Sequence, residues 1–209
     1  MTILSIAPPG NPRGRCKITF SDGKAWRILP EVVAEFGLFT GMELEEEQLT
    51  ALRKAADTAD TKRRAVSILS ATSVSRQDLS FRLKRGGASE EDAEQMVEWL
   101  SELNLLDDAR TAKQIVERGV RRGYGVHRIR QMLYEKKIPR EYWDAALEDM
   151  PPMDDAVDAY LAAHLSPDAD EKEKKRTVDA LMRRGYSWEQ IKEGLRRYDA
   201  RMADALEEE

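Results

Sequence analysis

The sequence predicts a mainly α-helical protein: three tandem copies of a three-helix repeat in an elongated, curved array, preceded by a small β-hairpin extension. Three observations carry this. Apolar residues recur at helical spacing from about residue 62 onward. Three anchoring leucines, Leu83, Leu133 and Leu181, stand 50 and 48 residues apart in matching local contexts. Near the front, Ile18, Phe20, Trp26 and Ile28 alternate around Ser21-Asp22-Gly23-Lys24, the pattern of a hairpin with an Asp-Gly turn.

Composition agrees with small helical units that leave much surface exposed. Of 209 residues, 41% are hydrophobic and 35% charged, a lower apolar and higher charged share than one deep globule has. The net charge of −5 argues against a generic nucleic-acid coating protein. Cys16 is the single cysteine, so neither an intrachain disulfide nor a cysteine-based zinc cluster is expected, and Cys16 reads as an ordinary strand residue. The apolar run at residues 3–9 is too short and lacks the flanking charge of a signal peptide. With no long apolar stretch either, a soluble, cytoplasmic protein without membrane contact is expected.

In chain order, residues 15–29 form the hairpin, which Pro30 closes, and residues 31–36 a short helix stopped by Gly37. Residues 40–45 lead into an acidic helix built on Leu49 and Leu52, completing an extension over 1–61. Repeat 1 (62–106) uses Ala65, Ile68 and Leu69, then Leu79 and Leu83, then Ala93, Met96, Val97 and Leu100. Repeat 2 (107–150) uses Ala112, Ile115, Val116 and Gly119, a break at Gly123-Tyr124-Gly125, then Ile129 and Leu133, then Trp143, Ala146 and Leu147. Repeat 3 (151–205) uses Val157, Tyr160 and Leu161, then Val178 and Leu181, then Ile191 and Leu195, with an acidic tail at 206–209. The last helix of each repeat opens at Ser89, Pro139 or Ser187. Ser caps free N–H groups and Pro suits a first turn. Ser75 with Asp78, Ser89 with Asp92 and Ser187 with Gln190 have capping-box spacing.

Catalytic chemistry finds no foothold in this pattern. The two histidines, His127 and His164, fall in different repeats, and no nucleophile–base pairing, zincin motif or phosphate loop is present. No cofactor, metal or catalytic residue is expected. Charge distribution says more. Between Arg110 and Arg140, ten Lys or Arg oppose only Glu117 and Glu135, a local charge of +8. Arg118, Arg121 and Arg122 share a helical face, and Arg130, Tyr134 and Lys137 form a second stripe. With Tyr124, Arg128 and Lys136, these residues make a candidate partner-binding surface for phosphates or an acidic protein. Tyr124, between two glycines, is expected to be reachable by a partner. A solvated helix face is the plain alternative reading of the same charges.

Two ordered motifs go further. Ser75-Arg76-Gln77-Asp78-Leu79 with Arg82, Leu83 and Gly86 resembles the first-repeat motif of the RecX family. Leu105-Leu106-Asp107-Asp108-Ala109-Arg110 with Gly123-Tyr124-Gly125, Arg128, Ile129 and Leu133 resembles the second. The resemblance covers residues 62–205, and Gly37-Leu38 with Gly41-Met42 resembles the extension found in part of the family. It implies a non-enzymatic regulator, without cofactor, that lies in the groove of the RecA–DNA filament and lowers its recombinase and ATPase activities during DNA repair, recombination and the SOS response. Contact with DNA inside the filament is then possible for the basic repeat. A direct nucleic-acid-binding helical module is the competing class, since a turn before a basic helix resembles a helix-turn-helix. Two departures stand out. An acidic insertion occupies 168–173, and Lys136-Lys137 replaces a common Lys-Gly pair, leaving no easy left-handed residue before Ile138.

Overall fold

The protein is described from a computed structural model covering residues 1–11 and 13–207, with side chains through Asp204. It divides into two compact units. One comprises Met1–Ser73 with Leu79–Leu105, and the other Val74–Asp78 with the chain from Leu106 onward.

The first unit opens with a three-stranded antiparallel sheet in the order β1 (Ile3–Ala7), β2 (Cys16–Phe20), β3 (Ala25–Ile28). The expected hairpin is β2–β3, with Ile18 opposite Trp26 and Cys16 opposite Ile28. Its turn places Gly23 at φ 84°, the left-handed region that glycine enters at least cost. Strand β1 is an addition to the expectation, because only Ile3 of its five residues is buried and no alternation marks it. Helix α1 (Pro30–Glu35) follows, with Pro at its first position and Gly37 beyond its end at φ 57°.

Helix α2 (Glu46–Ala71) corrects another expectation, because the acidic helix and the first helix of repeat 1 are one 26-residue element. The start of the repeating apolar pattern near residue 62 suggested a boundary. Yet Thr58-Ala59-Asp60-Thr61-Lys62 contains no Gly, Pro or stop signal, so the backbone continues. Phe20, Ile18, Ile28, Val32, Leu44 and Leu52 close a core between sheet and helices, and each is nearly or fully buried. Burying a side chain of this size contributes about 1.5–3 kcal/mol, which a lone hairpin could not obtain. Helices α3 (Arg76–Arg85) and α4 (Glu90–Glu102) follow, with Leu83, Met96 and Leu100 buried.

The second unit holds α5 (Asp108–Arg121), α6 (Val126–Glu135), a 3-10 turn at Arg140–Tyr142 leading into α7 (Trp143–Leu147), α8 (Asp154–His164), α9 (Glu171–Arg183) and α10 (Trp188–Glu207). Among the described residues between 62 and 205 there is no strand. Of the expected acidic tail, residues 206 and 207 continue α10, and 208–209 lie outside the described residues. The acidic insertion is a loop plus the first turn of α9. Asp170 caps that helix through the Glu173 N–H, while the Glu173 carboxylate accepts from the Ser166 N–H and hydroxyl. Those two bonds hold the Glu173 carboxyl below its ordinary pKa, the backbone N–H contributing most.

The repeat is visible in the turns. Leu83, Leu133 and Leu181 are all fully buried. Four residues after each stands a residue in the left-handed region: Gly87 at φ 97°, Lys137 at 53° and Gly185 at 90°. The next N–H then reaches back to the anchoring leucine's carbonyl in all three places, at 3.1, 3.0 and 3.3 Å. Ser75, Ser89 and Ser187 cap the following helices as the spacing predicts. No described helix is long and apolar enough to cross a membrane.

Candidate partner-binding site

The candidate surface is built on α5 and α6. Thr111, Ala112, Ile115, Val116 and Gly119 form the buried face of α5, which leaves Lys113, Arg118 and Arg121 outside. Gly119 sets how closely the two helices approach, since a Cβ there would lie 2.5 Å from the Ile129 side chain of α6. Ile129 and Leu133 are fully buried, so Arg130 and Tyr134 face away from the core.

The structure brings the first basic cluster together at the C-terminal end of α5. Arg118, Arg121 and Arg122 are all exposed there, where the helix dipole favours cations. Arg121 meets Glu117 at 3.7 Å, and neither Arg118 nor Arg122 has an ion pair among the described residues. The second stripe is also presented. Tyr134 is 69% exposed, the most open of the large hydrophobic side chains among the described residues, and Arg130 beside it is exposed. Arg128 is half-buried, donating to Gln131 at 2.8 Å and lying 3.7 Å from Glu135. Lys136 and Lys137 are half-buried in the turn that ends α6, where Lys137 itself adopts the left-handed conformation in place of a glycine.

Tyr124 departs from its expected exposure. Its ring is half-buried against the α5–α7 core, and the Arg184 guanidinium lies 5.8 Å from its centroid. Arg184 also covers Tyr160 at 4.9 Å and donates to the carbonyls of Arg122 and Gly123. Tyr124 therefore belongs to a packed junction between the turn before α6 and the turn before α10. Gly125 N–H donates to Arg184 O at 2.9 Å, and Tyr186 Oη donates to Gly123 O at 2.9 Å. Sequence reasoning saw the Gly-Tyr-Gly break but had no signal for what packs on it.

It also missed the acidic answer to the basic window. Glu141, Asp144, Glu148 and Asp149 lie just past residue 140, and over 107–150 the charge falls to +2. Asp144 comes within 3.9 Å of Arg130, and Asp149 within 3.9 Å of Lys113. Both pairs are exposed and contribute little to stability. The cationic character thus concentrates at the α5 end and along Arg130–Tyr134. At the foot of α5, the buried Asp108 accepts from the Arg76 N–H at 2.9 Å. Burial pushes its carboxyl above the usual range, with that N–H opposing the shift.

Buried helical faces and repeated left-handed turns, under a basic outer face with one open aromatic, define a tandem three-helix repeat protein. Comparison with known proteins specifies the kind. Residues 107–147 match the model of the second three-helix domain of RecX, and residues 161–195 that of the third. Regulatory protein RecX of Vibrio parahaemolyticus is 33% identical over 147 residues, covering 66% of this chain and 92% of that protein. The one from Limosilactobacillus reuteri is 30% identical over 196 residues, covering 87% of this chain and 72% of the relative. A crystal structure of regulatory protein RecX shares the fold, with a TM-score of 0.60 at 24% identity over 92% of this chain and 98% of that one. The chain belongs to the RecX family.

Proposed function

We propose that this chain acts in the cytoplasm on the RecA recombinase filament during DNA repair and recombination, binding it and lowering its recombinase and ATPase activities without itself being an enzyme. Its working units are the repeats at 62–106, 107–150 and 151–205, and the binding face is the outer surface of α5 and α6. One observation supports this placement above the rest: within a chain of net charge −5, Arg118, Arg121 and Arg122 stand exposed at the end of α5, and Arg130 stands exposed one helical turn from the open ring of Tyr134. Exposed arginine and tyrosine match the composition of binding hot spots. Arginine also pairs bidentately with carboxylates and phosphates alike.

The test is RecA ATP hydrolysis on single-stranded DNA, titrated with wild-type protein and with the R121E/R122E/R130E variant at two ionic strengths. An exposed ion pair contributes about 0.2–1 kcal/mol, and reversal adds repulsion of similar size, so three sites cost about 1–6 kcal/mol of binding at low salt. Added salt narrows the gap between the curves by screening it. Reversals at Lys62 and Lys84 have smaller effects. Equal inhibition by variant and wild type would reduce the face to solvated surface.

A further inference from the structure

Two runs of the chain carry cations and no acid at all. Residues 1–21 contain Arg13, Arg15 and Lys17, and residues 61–77 contain Lys62, Arg63, Arg64 and Arg76. Within the first unit, part of each run meets the other. Arg13 and Arg15 from the β1–β2 connection and Arg63 and Arg64 from α2 line one cleft of about 850 Å3. Two carboxylates share it, Asp60 and Glu31.

The arginines are held by groups that leave most of their donors unused. Arg15 donates through Nε and Nη2 to one oxygen of Asp60, at 3.1 and 2.8 Å. Arg63 donates to the Arg13 carbonyl at 2.9 Å and lies 3.9 Å from Asp60. Arg64 donates to the Gly86 carbonyl. A guanidinium has five N–H donors in a fixed fork, so each retains donors for an anion and has already lost part of its rotamer freedom. Arg64 and Arg13 have no ion pair among the described residues.

We propose that this cleft is a second binding site, separate from the α5–α6 face, that takes the phosphodiester backbone of a single-stranded nucleic acid without reading its sequence. The volume falls in the range that holds a molecule the size of a nucleotide rather than one small anion. Pro30 and Val66 add apolar wall, Val66 being 50% exposed, against which a sugar or base face rests. A nucleic-acid strand carries its charge on the backbone itself. An acidic peptide must instead immobilise one flexible side chain per carboxylate, at about 0.5–1.5 kcal/mol each. Fixed forks therefore favour the phosphate chain.

The experiment needs no recombinase, so its outcome is independent of the filament reading. Full-length protein is titrated into a fluorescein-labelled oligothymidylate, and anisotropy is followed across a salt series. Wild type binds at low salt, and R13Q/R63Q/R64Q loses at least about tenfold in affinity there. Its plot of log K against log salt becomes shallower by about 2, since each single-strand phosphate contact contributes about 0.7. S67E, which sets a carboxylate on the exposed cleft side of α2 one turn from Arg63 and Arg64 while leaving every arginine in place, lowers affinity in the same direction. Circular dichroism checks that each variant keeps its helicity, and S67E keeps the question open to refutation if the triple variant does not fold. No wild-type binding at low salt overturns the proposal. So do unchanged affinity and slope in folded cleft variants, and a labelled polyglutamate that binds wild type more tightly than the oligonucleotide.

Discussion

Gly185→Ala tests the junction that joins the α5–α7 and α8–α10 groups inside the second unit. Gly185 sits at φ 90°, and a Cβ there would lie 2.2 Å from the backbone N of Arg128 and 2.9 Å from its Cα. Backbone atoms cannot swing aside as a flexible side chain can. The turn must therefore move away from α6, weakening the bonds from Gly125 N–H to Arg184 O at 2.9 Å and from His127 N–H to Gly185 O at 3.2 Å. The left-handed conformation costs alanine about 1–2 kcal/mol, and each weakened bond about 0.5–1.5 kcal/mol. The total is about 2–5 kcal/mol. Gly87→Ala is the built-in control: it occupies the matching turn at φ 97°, but nothing lies within 4 Å of its added Cβ. It should lose only the conformational cost. Urea unfolding of both variants, with amide exchange at Gly125 and His127 as the local readout, separates the two contributions. If Gly185→Ala were no more destabilising than Gly87→Ala, with protection at Gly125 and His127 intact, the close backbone approach would carry no energetic weight.

Two further predictions follow from local geometry. Lys137→Gly should raise stability by about 0.5–1 kcal/mol in chemical denaturation, because the strain relieved at φ 53° exceeds the backbone entropy that glycine adds to the unfolded chain; a lower midpoint would mean that the lysine side chain outweighs the turn. Asp158 accepts from Arg197 at 2.8 Å and from Arg201, which hold its carboxyl below the ordinary range, Arg197 foremost. A depressed folded pKa gives stability that is present above the unfolded value near ~3.9 and lost as pH falls through the folded one. The thermal midpoints of wild type and Asp158→Asn should therefore differ at pH 7 and converge on acidification, and a pH-independent gap would refute the linkage.

How much of this was legible in the sequence depended on whether the signal was local. Ser75, Ser89 and Ser187 were readable because a cap is a contact over three residues. The anchoring leucines were readable because burial recurs at a fixed interval. Strand β1 was not, because its partner β2 supplies its hydrogen bonds from across the β1–β2 connection, and its own residues alternate too weakly to announce it. The continuity of α2 was obscured because the repeat pattern starts in its middle, near residue 62. The start of a repeat does not end a helix without a stop residue.

The site followed the same division with one added lesson about windows of charge. A count over residues 110–140 gives +8, yet α7 and the residues after it return acidic groups to within 4 Å of Arg130 and Lys113. A linear window cannot contain what the chain's reversal brings back. Tyr124 and Tyr134 show the complementary error. Flanking glycines suggested that Tyr124 was open, but glycine at position 125 allows another backbone to approach, since a Cβ there would lie 2.2 Å from Gly185 O. The space beside Tyr124 is filled by that turn and by Arg184. Tyr134 follows Leu133, the buried anchor, so the helical period turns its ring outward beside Arg130. Gly125 and Gly185 thus mark where one repeat's backbone meets the next. Among the aromatics of this surface, the one adjoining a buried anchor on a regular helix is the one left exposed.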